Sequence, residues 1–469
     1  MKKILAILSL ILSVTFVSAQ GDTIVGYAPE YIGQKVTLYT IDDYLTMTRT
    51  KLSESVVNPK DSLFKLVNPT KITVKAFIEI DKIETEIYLQ PNSSYQIVYP
   101  KPEKILSTFV NQKVEAIFYG LDSTDINYKI LRYNQWFDKY VAYHRRDITQ
   151  KGFAPYLDTF KMYAYEAYKN EKNPYMVNYV RYNIALMEQI KAKKSNPNHK
   201  INTFLEYIKP YPVYAYNDQY MKFIKGFYPK DFEGYMPEIK SSVYLALNHS
   251  SPTRLMRALR KDPYLKDPEL REMMMVNMLG HSYYKRGYDR KNIITILDSI
   301  SHFAKYKTNA IASKNMIEYL TKVEQGYPAP HFTIVQANDT ISLSKYAGKF
   351  LYVNFYASWN ETSVKEMKLI KALKHKYGDY IDFLSFSTDK TFEAFNQFKK
   401  EHSDYDWDIV FLDQDVDVIN QFNVKAIPAY FLINPEGFIA LAPAKSPSPD
   451  GEYKSIEETF EYIRSIMKN

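Results

Sequence analysis

The sequence predicts a multidomain α+β chain. It divides into an N-terminal antiparallel β-sandwich at 20–102, an all-α middle domain at 103–326 and a C-terminal α/β domain at 327–469, behind a signal peptide at 1–19. Three observations predict this. Short runs rich in β-branched and aromatic residues, separated by proline turns, fill the first hundred residues. The apolar period then lengthens to that of helices. After Gly326-Tyr327-Pro328-Ala329-Pro330, strands and helices alternate and end in a hairpin, the pattern of a mixed sheet with helices on both faces. A length of 469 residues fits two or three domains.

The N-terminus carries Lys2 and Lys3, then a mostly apolar run from Ile4 to Val17, then the small-residue site Val17-Ser18-Ala19. This is the pattern of a secretory signal peptide, too short for a stable membrane span. A mature chain starting near Gln20, exported to the periplasm and not integral to the membrane, is expected. The cysteine count is zero, so neither disulfides nor thiolate metal sites can form in this sequence. Stability must come from core burial. The 43 tyrosines suit half-buried helix faces.

The formal charge is +8 and is unevenly spread. Residues 20–110 carry 10 basic and 11 acidic groups (−1), residues 111–326 carry 34 and 22 (+12), and residues 327–469 carry 15 and 20 (−5). The basic middle suits an anionic partner surface, or docking against the acidic C-terminal part. Nucleic acid is not expected for an exported protein.

In the first domain, strands are expected at Lys35–Tyr39, Ser62–Leu66, Ile72–Ile78 and Tyr95–Tyr99. Asn58-Pro59-Lys60-Asp61, Asn68-Pro69 and Gln90-Pro91-Asn92 mark turns between them. From about 103, Ile105, Phe109, Val110, Val114, Ile117 and Phe118 recur at helical spacing. So do Ile130, Tyr133, Phe137 and Tyr140, and Tyr179, Tyr182, Leu186 and Ile190. Eight or more helices are expected up to about 323, broken at Asn173-Pro174, Asn196-Pro197, Pro210 to Pro212, Asp262-Pro263 and Asp267-Pro268.

In the last domain the expected core is a buried strand from Lys349 to Tyr356, a Ser358-Trp359 turn and a helix from Glu361 to Tyr377. Strands at Ile381–Ser387 and Tyr430–Ile433 follow, with a connection at Ile409–Phe411 and helices at Phe392–His402, Val416–Phe422 and about Ser455–Met467. Asn434-Pro435-Glu436-Gly437 turns the chain into a hairpin with Phe438–Ala440.

Four motifs in this domain resemble those of the thioredoxin superfamily, and within it the TlpA-like and peroxiredoxin-like (AhpC/TSA) exported branch. Pro328-x-Pro330-x-Phe332 is similar to the family's opening. Val353-Asn354-Phe355-Tyr356-Ala357-Ser358-Trp359 is similar to its central strand, and Glu366-Met367 to the pair that follows its second cysteine. Val424 to Ile433 is similar to the strand that opens on a cis-proline, here Ile427-Pro428. The resemblance implies a thioredoxin-like fold. It also extends to residues 24–100, where Leu89 to Tyr95 sits at a strand-turn-strand feature of the β-domain that precedes such domains in exported Bacteroidetes proteins, without its glycine.

The chain departs from the family where its chemistry sits. The two redox cysteine positions hold Asn360 and Ser363, the proline after the Glu-Met pair is Lys368, and the threonine after the cis-proline is Ala429. Thiol–disulfide exchange needs an attacking thiolate, and neither an amide nor a hydroxyl replaces it. No catalytic residue and no cofactor is therefore expected. The replacements suit a helix start: asparagine is among the best N-caps, Glu361 complements the helix dipole, and the Ser363 backbone N–H is placed to reach Asn360. The resemblance implies a surviving peptide-binding face lined by Trp359, Asn360, Ala426, Ile427 and Pro428.

Other motifs are thin. The eight histidines show no paired ligand spacing, so no metal site is expected. Ser342-x-x-Lys345 lies in a strand-to-helix segment, Asp413-x-Asp415-x-Asp417 lacks the glycine of a calcium loop, and Asn360-Glu361-Thr362 is a sequon without consequence in a bacterium. Three functions remain open: a non-redox protein- or peptide-binding or assembly factor, an oxidoreductase-family protein acting only with a partner's thiol, and a structural cell-envelope component.

Overall fold

A computed structural model describes residues 22–81, 83–100, 112–146, 152, 154–191, 198–336, 339–412, 416–449 and 455–467. The expected signal peptide lies outside these residues, as do Ile105, Phe109, Val110, Asp413 and Asp415. The described residues fall into two compact units, 22–100 with 113–313, and 112 with 314–467. Among them no helix is long and apolar enough to cross a membrane.

The first unit opens with two sheets. Strands β1 (Thr23–Tyr27), β4 (Leu63–Val67), β7 (Tyr95–Val98) and β9 (Ile117–Phe118) form one, in the order β4-β1-β7-β9. Strands β2 (Lys35–Ile41), β3 (Arg49–Val56), β5 (Val74–Ile80), β6 (Ile83–Leu89) and β8 (Gln112–Val114) form the other, in the order β3-β2-β5-β6-β8. Ile24, Phe64, Leu66 and Ile97 from the first sheet share one core with Val36, Leu38, Ile78 and Ile87 from the second, which makes a sandwich. The pairing β1–β7 is parallel; β1–β4, β2–β3, β2–β5, β5–β6 and β7–β9 are antiparallel.

The helix expected from about 103 does not extend through 112–118, which holds β8 and β9 instead. Val114 and Phe118, four apart as on a helix, pack separately against the sandwich core. Phe118 sits opposite Ile97 in the ladder. Tertiary pairing overrides the local period here.

Helices α1 (Ile126–Tyr143), α2 (Ala154–Tyr168), α3 (Pro174–Lys191), α4 (His199–Tyr207), α5 (Asp218–Phe227), α6 (Pro237–Asn248), α7 (Pro252–Leu259), α8 (Pro268–Ser282), α9 (Arg290–Phe303) and α10 (Lys307–Thr321) follow. Two of the expected breaks are helix starts, because proline at the first helical position loses no hydrogen bond. Thus Pro268 follows the cap Asp267, whose carboxylate accepts the Leu270 N–H at 2.8 Å. Pro174 follows Asn173, whose side chain accepts the Tyr175 N–H at 2.9 Å.

Helices and sandwich are joined by polar side chains as well as by packing. The Asn127 amide on α1 accepts the Tyr88 N–H at 2.7 Å and donates to the Tyr88 carbonyl at 2.8 Å, acting as a one-residue strand partner for β6. Tyr175 donates its hydroxyl to Asp218 at 3.0 Å, and Tyr88 to the same carboxylate at 3.3 Å.

The second unit contains the β10 (Thr333–Gln336) and β11 (Asp339–Ser342) ribbon and a five-stranded sheet. The sheet holds β12 (Phe350–Tyr356), β13 (Ile381–Ser387), β14 (Asp408–Phe411), β15 (Ala429–Ile433) and β16 (Ile439–Leu441) in the order β14-β13-β12-β15-β16. Strands β12 to β14 are parallel; β15 and β16 run antiparallel to their neighbours. Both faces are covered, so β12 is apolar on both sides: Val353 and Phe355 face one core, Tyr352 and Tyr356 the other. Helices α11 (Glu361–Tyr377), α12 (Phe392–Glu401) and α14 (Glu457–Met467) pack on the Tyr352 face, while α13 (Val416–Gln421) and the ribbon pack on the Val353 face. The α11 helix, with Lys368 where a kinking proline would sit, is continuous over its 17 residues.

Candidate functional site

The site is built at one end of the second unit's sheet. Strand β12 ends at Tyr356, and its ladder places Phe355 opposite Ala429, the first residue of β15. The Ser358-Trp359-Asn360 turn and the Ile427-Pro428 segment therefore lie at the same sheet end. The Ile427–Pro428 peptide bond is cis. Strand β13 ends there too, with Ser387 paired to Tyr356, so Thr388 and Asp389 join the group.

Asp389 ties the turn down. It is buried, and Oδ1 accepts both the backbone N–H and the hydroxyl of Ser358. Its Oδ2 accepts the Ser387 hydroxyl at 2.7 Å. Thr388 adds two bonds to the Tyr356 carbonyl, from its N–H at 2.8 Å and its hydroxyl at 3.0 Å. Burial and, next, the Asp389 carboxylate push the Tyr356 hydroxyl well above the usual tyrosine range. Asp389 belongs to no sequence motif; its only signal is a Ser387-Thr388-Asp389 run closing a buried strand.

Asn360 caps α11. Its Oδ1 accepts the Ser363 N–H at 2.8 Å. Ser363 is 1% exposed and its hydroxyl has no hydrogen-bond partner, so it is not presented to solvent. Glu361 is exposed in the first turn. One turn further on, Glu366 is buried and accepts the N–H and hydroxyl of Ser448. Burial first, with Glu366 as the next cause, pushes the Tyr430 hydroxyl up beside it. Tyr430 stacks on Tyr352 with ring centroids 5.7 Å apart.

Of the five residues read as a binding face, Trp359 is 54% exposed, Ala426 is exposed, and Asn360, Ile427 and Pro428 are half-buried. The face offers an indole and a stretch of backbone, with no thiol. Ser342 and Lys345 take no part. Ser342 pairs with the Ser344 hydroxyl, and Lys345 pairs with Asp408 at the opposite sheet end. A cleft of about 550 Å³ lies at that end, lined by Lys345, Tyr346, Lys374, Asp406, Trp407 and Asp408, and its lysines are matched by Asp408 and Asp406. No group of three or more potential metal ligands is found among the described residues.

Residues 325–442 match the model of the AhpC/TSA family. The C-terminal region is a thioredoxin-superfamily domain of the TlpA-like kind. It is similar to the thiol-disulfide oxidoreductase ResA of Bacillus subtilis (strain 168), with 30% identity over 117 residues. That match covers 24% of this chain and 64% of the relative's length. A crystal structure of a candidate thiol-disulfide oxidoreductase from Bacteroides vulgatus is 26% identical, covering 30% of this chain and 99% of that one, with a TM-score of 0.28. A solution structure of a thiol:disulfide interchange protein from Bacteroides sp. is 20% identical, covering 32% and 93%, with a TM-score of 0.27. The thioredoxin-like domain of this chain holds the family's strand and helix start without the family's sulfur.

Proposed function

We propose that this chain is an exported, non-redox thioredoxin-fold protein that binds an extended peptide or protein segment at Trp359, Asn360, Ala426, Ile427 and Pro428. The observation that carries the reading is the exposed Trp359 indole on a turn held by hydrogen bonds to the buried Asp389, at the sheet end where the Ile427-Pro428 segment leads into β15. A large apolar ring left half in water on a rigid support is a ready contact surface. The domain keeps its helix start through Asn360 with no cysteine, which supports binding in place of redox catalysis. Export to the periplasm, with a mature chain from about residue 20, and the division at 102 and 326 belong to the same proposal. So does an anionic partner for the basic helical region.

The test is peptide-array binding followed by fluorescence titration of the full chain, with Trp359→Ala as the control, alongside an insulin-reduction assay. Saturable binding lost in Trp359→Ala, with no insulin reduction above background, supports the reading. Insulin turnover by the pure chain, or binding unchanged by Trp359→Ala, overturns it.

A further inference from the structure

We propose that a cleft in the first unit binds a small monocarboxylate with a compact apolar body, held by the Asn178 amide and the Arg181 guanidinium. This site goes beyond the proposed function and does not rest on it. The cleft has a volume of about 460 Å³, inside the range of about 300–1,000 Å³ common for small-molecule sites. It lies where the sandwich loops at 72–73 and 91 meet the start of α3 and the loop before α5. Ile72, Pro91, Pro174, Val213 and Tyr214 give it apolar walls, and every residue lining it is uncharged.

One buried polar group in this lining has a donor to spare. Asn178 is 4% exposed. Its Oδ1 accepts from Arg181 Nη1 at 2.6 Å. A guanidinium carries donors only, so the amide meets Arg181 with its oxygen, and this fixes the orientation of its Nδ2. Among the described residues Nδ2 has no hydrogen-bond partner. Asn217, also in the lining, instead uses both ends of its amide, donating to the Tyr175 carbonyl at 3.2 Å and accepting the Tyr220 N–H at 3.0 Å. A buried donor left unpaired is costly, and an acceptor on a ligand removes that cost.

Arg181 supplies the charge. Its Cζ lies 3.8 Å from the centroid of the Tyr211 ring, so the guanidinium is held between an aromatic face and the Asn178 oxygen. Among the described residues no carboxylate pairs with it. Asn178 Nδ2 and the remaining N–H groups of Arg181 all donate. The matching polar end accepts only and carries one negative charge, which describes a carboxylate: one oxygen takes the Nδ2 hydrogen and the other faces the guanidinium. A phosphate dianion fits less well, because one cation among uncharged walls leaves its second charge unanswered. The apolar walls take the body of the ligand.

The test is calorimetric titration of the full chain with phenylacetate and 4-methylpentanoate, each against its own amide, and with acetate. The expected result is saturable binding of at least one acid, roughly tenfold to hundredfold tighter than its amide, with acetate unable to compete. Arg181→Gln should lose the preference for acid over amide. Ile72→Asp sets a like charge on the cleft wall at a position 48% exposed, where a change is tolerated, and should weaken the acid more than the amide. No binding of either acid, equal binding of acid and amide, or undiminished acid affinity in Arg181→Gln overturns the inference. Thermal melts check the fold of both variants. Should Arg181→Gln fail to fold, undiminished acid affinity in Ile72→Asp overturns it instead. Peptide binding at Trp359 is expected to be unchanged at saturating acid, so the two readings fail separately.

Discussion

Asp389 Oδ1 accepts the Ser358 backbone N–H at 2.8 Å and the Ser358 hydroxyl at 2.7 Å. Two hydrogen bonds to one buried oxygen fix the turn that presents Trp359. Asp389→Ala leaves that N–H and the Ser387 hydroxyl without their acceptor, and the expected cost is about 1–3 kcal/mol per unsatisfied group. Chemical denaturation followed by tryptophan emission measures it. Loss of peptide affinity in this variant, with Trp359 intact, would mark Asp389 as a positioning residue.

Asn360→Ala should free the Ser363 amide. A lost N-cap costs about 0.5–2 kcal/mol. Native-state hydrogen exchange at Ser363 should speed up, while Asn360→Asp, which keeps an acceptor, should leave it near the natural rate.

Ser363→Ala carries the opposite sign. The hydroxyl it removes is buried without a partner, a condition that costs about 1–3 kcal/mol. The variant should be at least as stable as the natural chain, and a drop in the denaturation midpoint would show that the hydroxyl has a role. Installing sulfur tests the family's chemistry directly. The double variant Asn360→Cys, Ser363→Cys should gain insulin reduction over the natural chain, for which none is expected, because the helix N-terminus that lowers a thiol's pKa is already formed.

The acid side of the pH profile should report Glu461. The Tyr377 hydroxyl first, then Lys376, hold its carboxyl down at about 2. A depressed folded-state value contributes stability above the unfolded glutamate pKa, lost as pH falls from there through about 2. Glu461→Gln should therefore lower the thermal midpoint at neutral pH and make little difference near the bottom of that window. Equal effects at both ends would refute the linkage.

The last domain was legible nearly to the residue because its strands and helices carry unambiguous periods. The expected helix Glu361–Tyr377 and strand Ile381–Ser387 coincide with α11 and β13. The first unit was less so. Strand β3, Arg49–Val56, is largely exposed and charged and gives no alternation to read, and β1 and β6 were also missed. The stretch around 105–118 shows the limit, since Val114 and Phe118 have a helix's spacing but a sheet's partners. At the site, Trp359, Asn360 and Pro428 were visible as motif residues. Asp389, thirty residues away, acts only through a hydrogen bond that no local pattern encodes.

The Asn127 amide bonded to both backbone groups of Tyr88 has a practical corollary. Helix α1 cannot leave β6 without exposing a donor and an acceptor that the sheet itself does not cover. Sandwich and helices should then unravel together, and a protease cutting between Phe118 and Ile126 should leave two pieces that still travel as one through a sizing column.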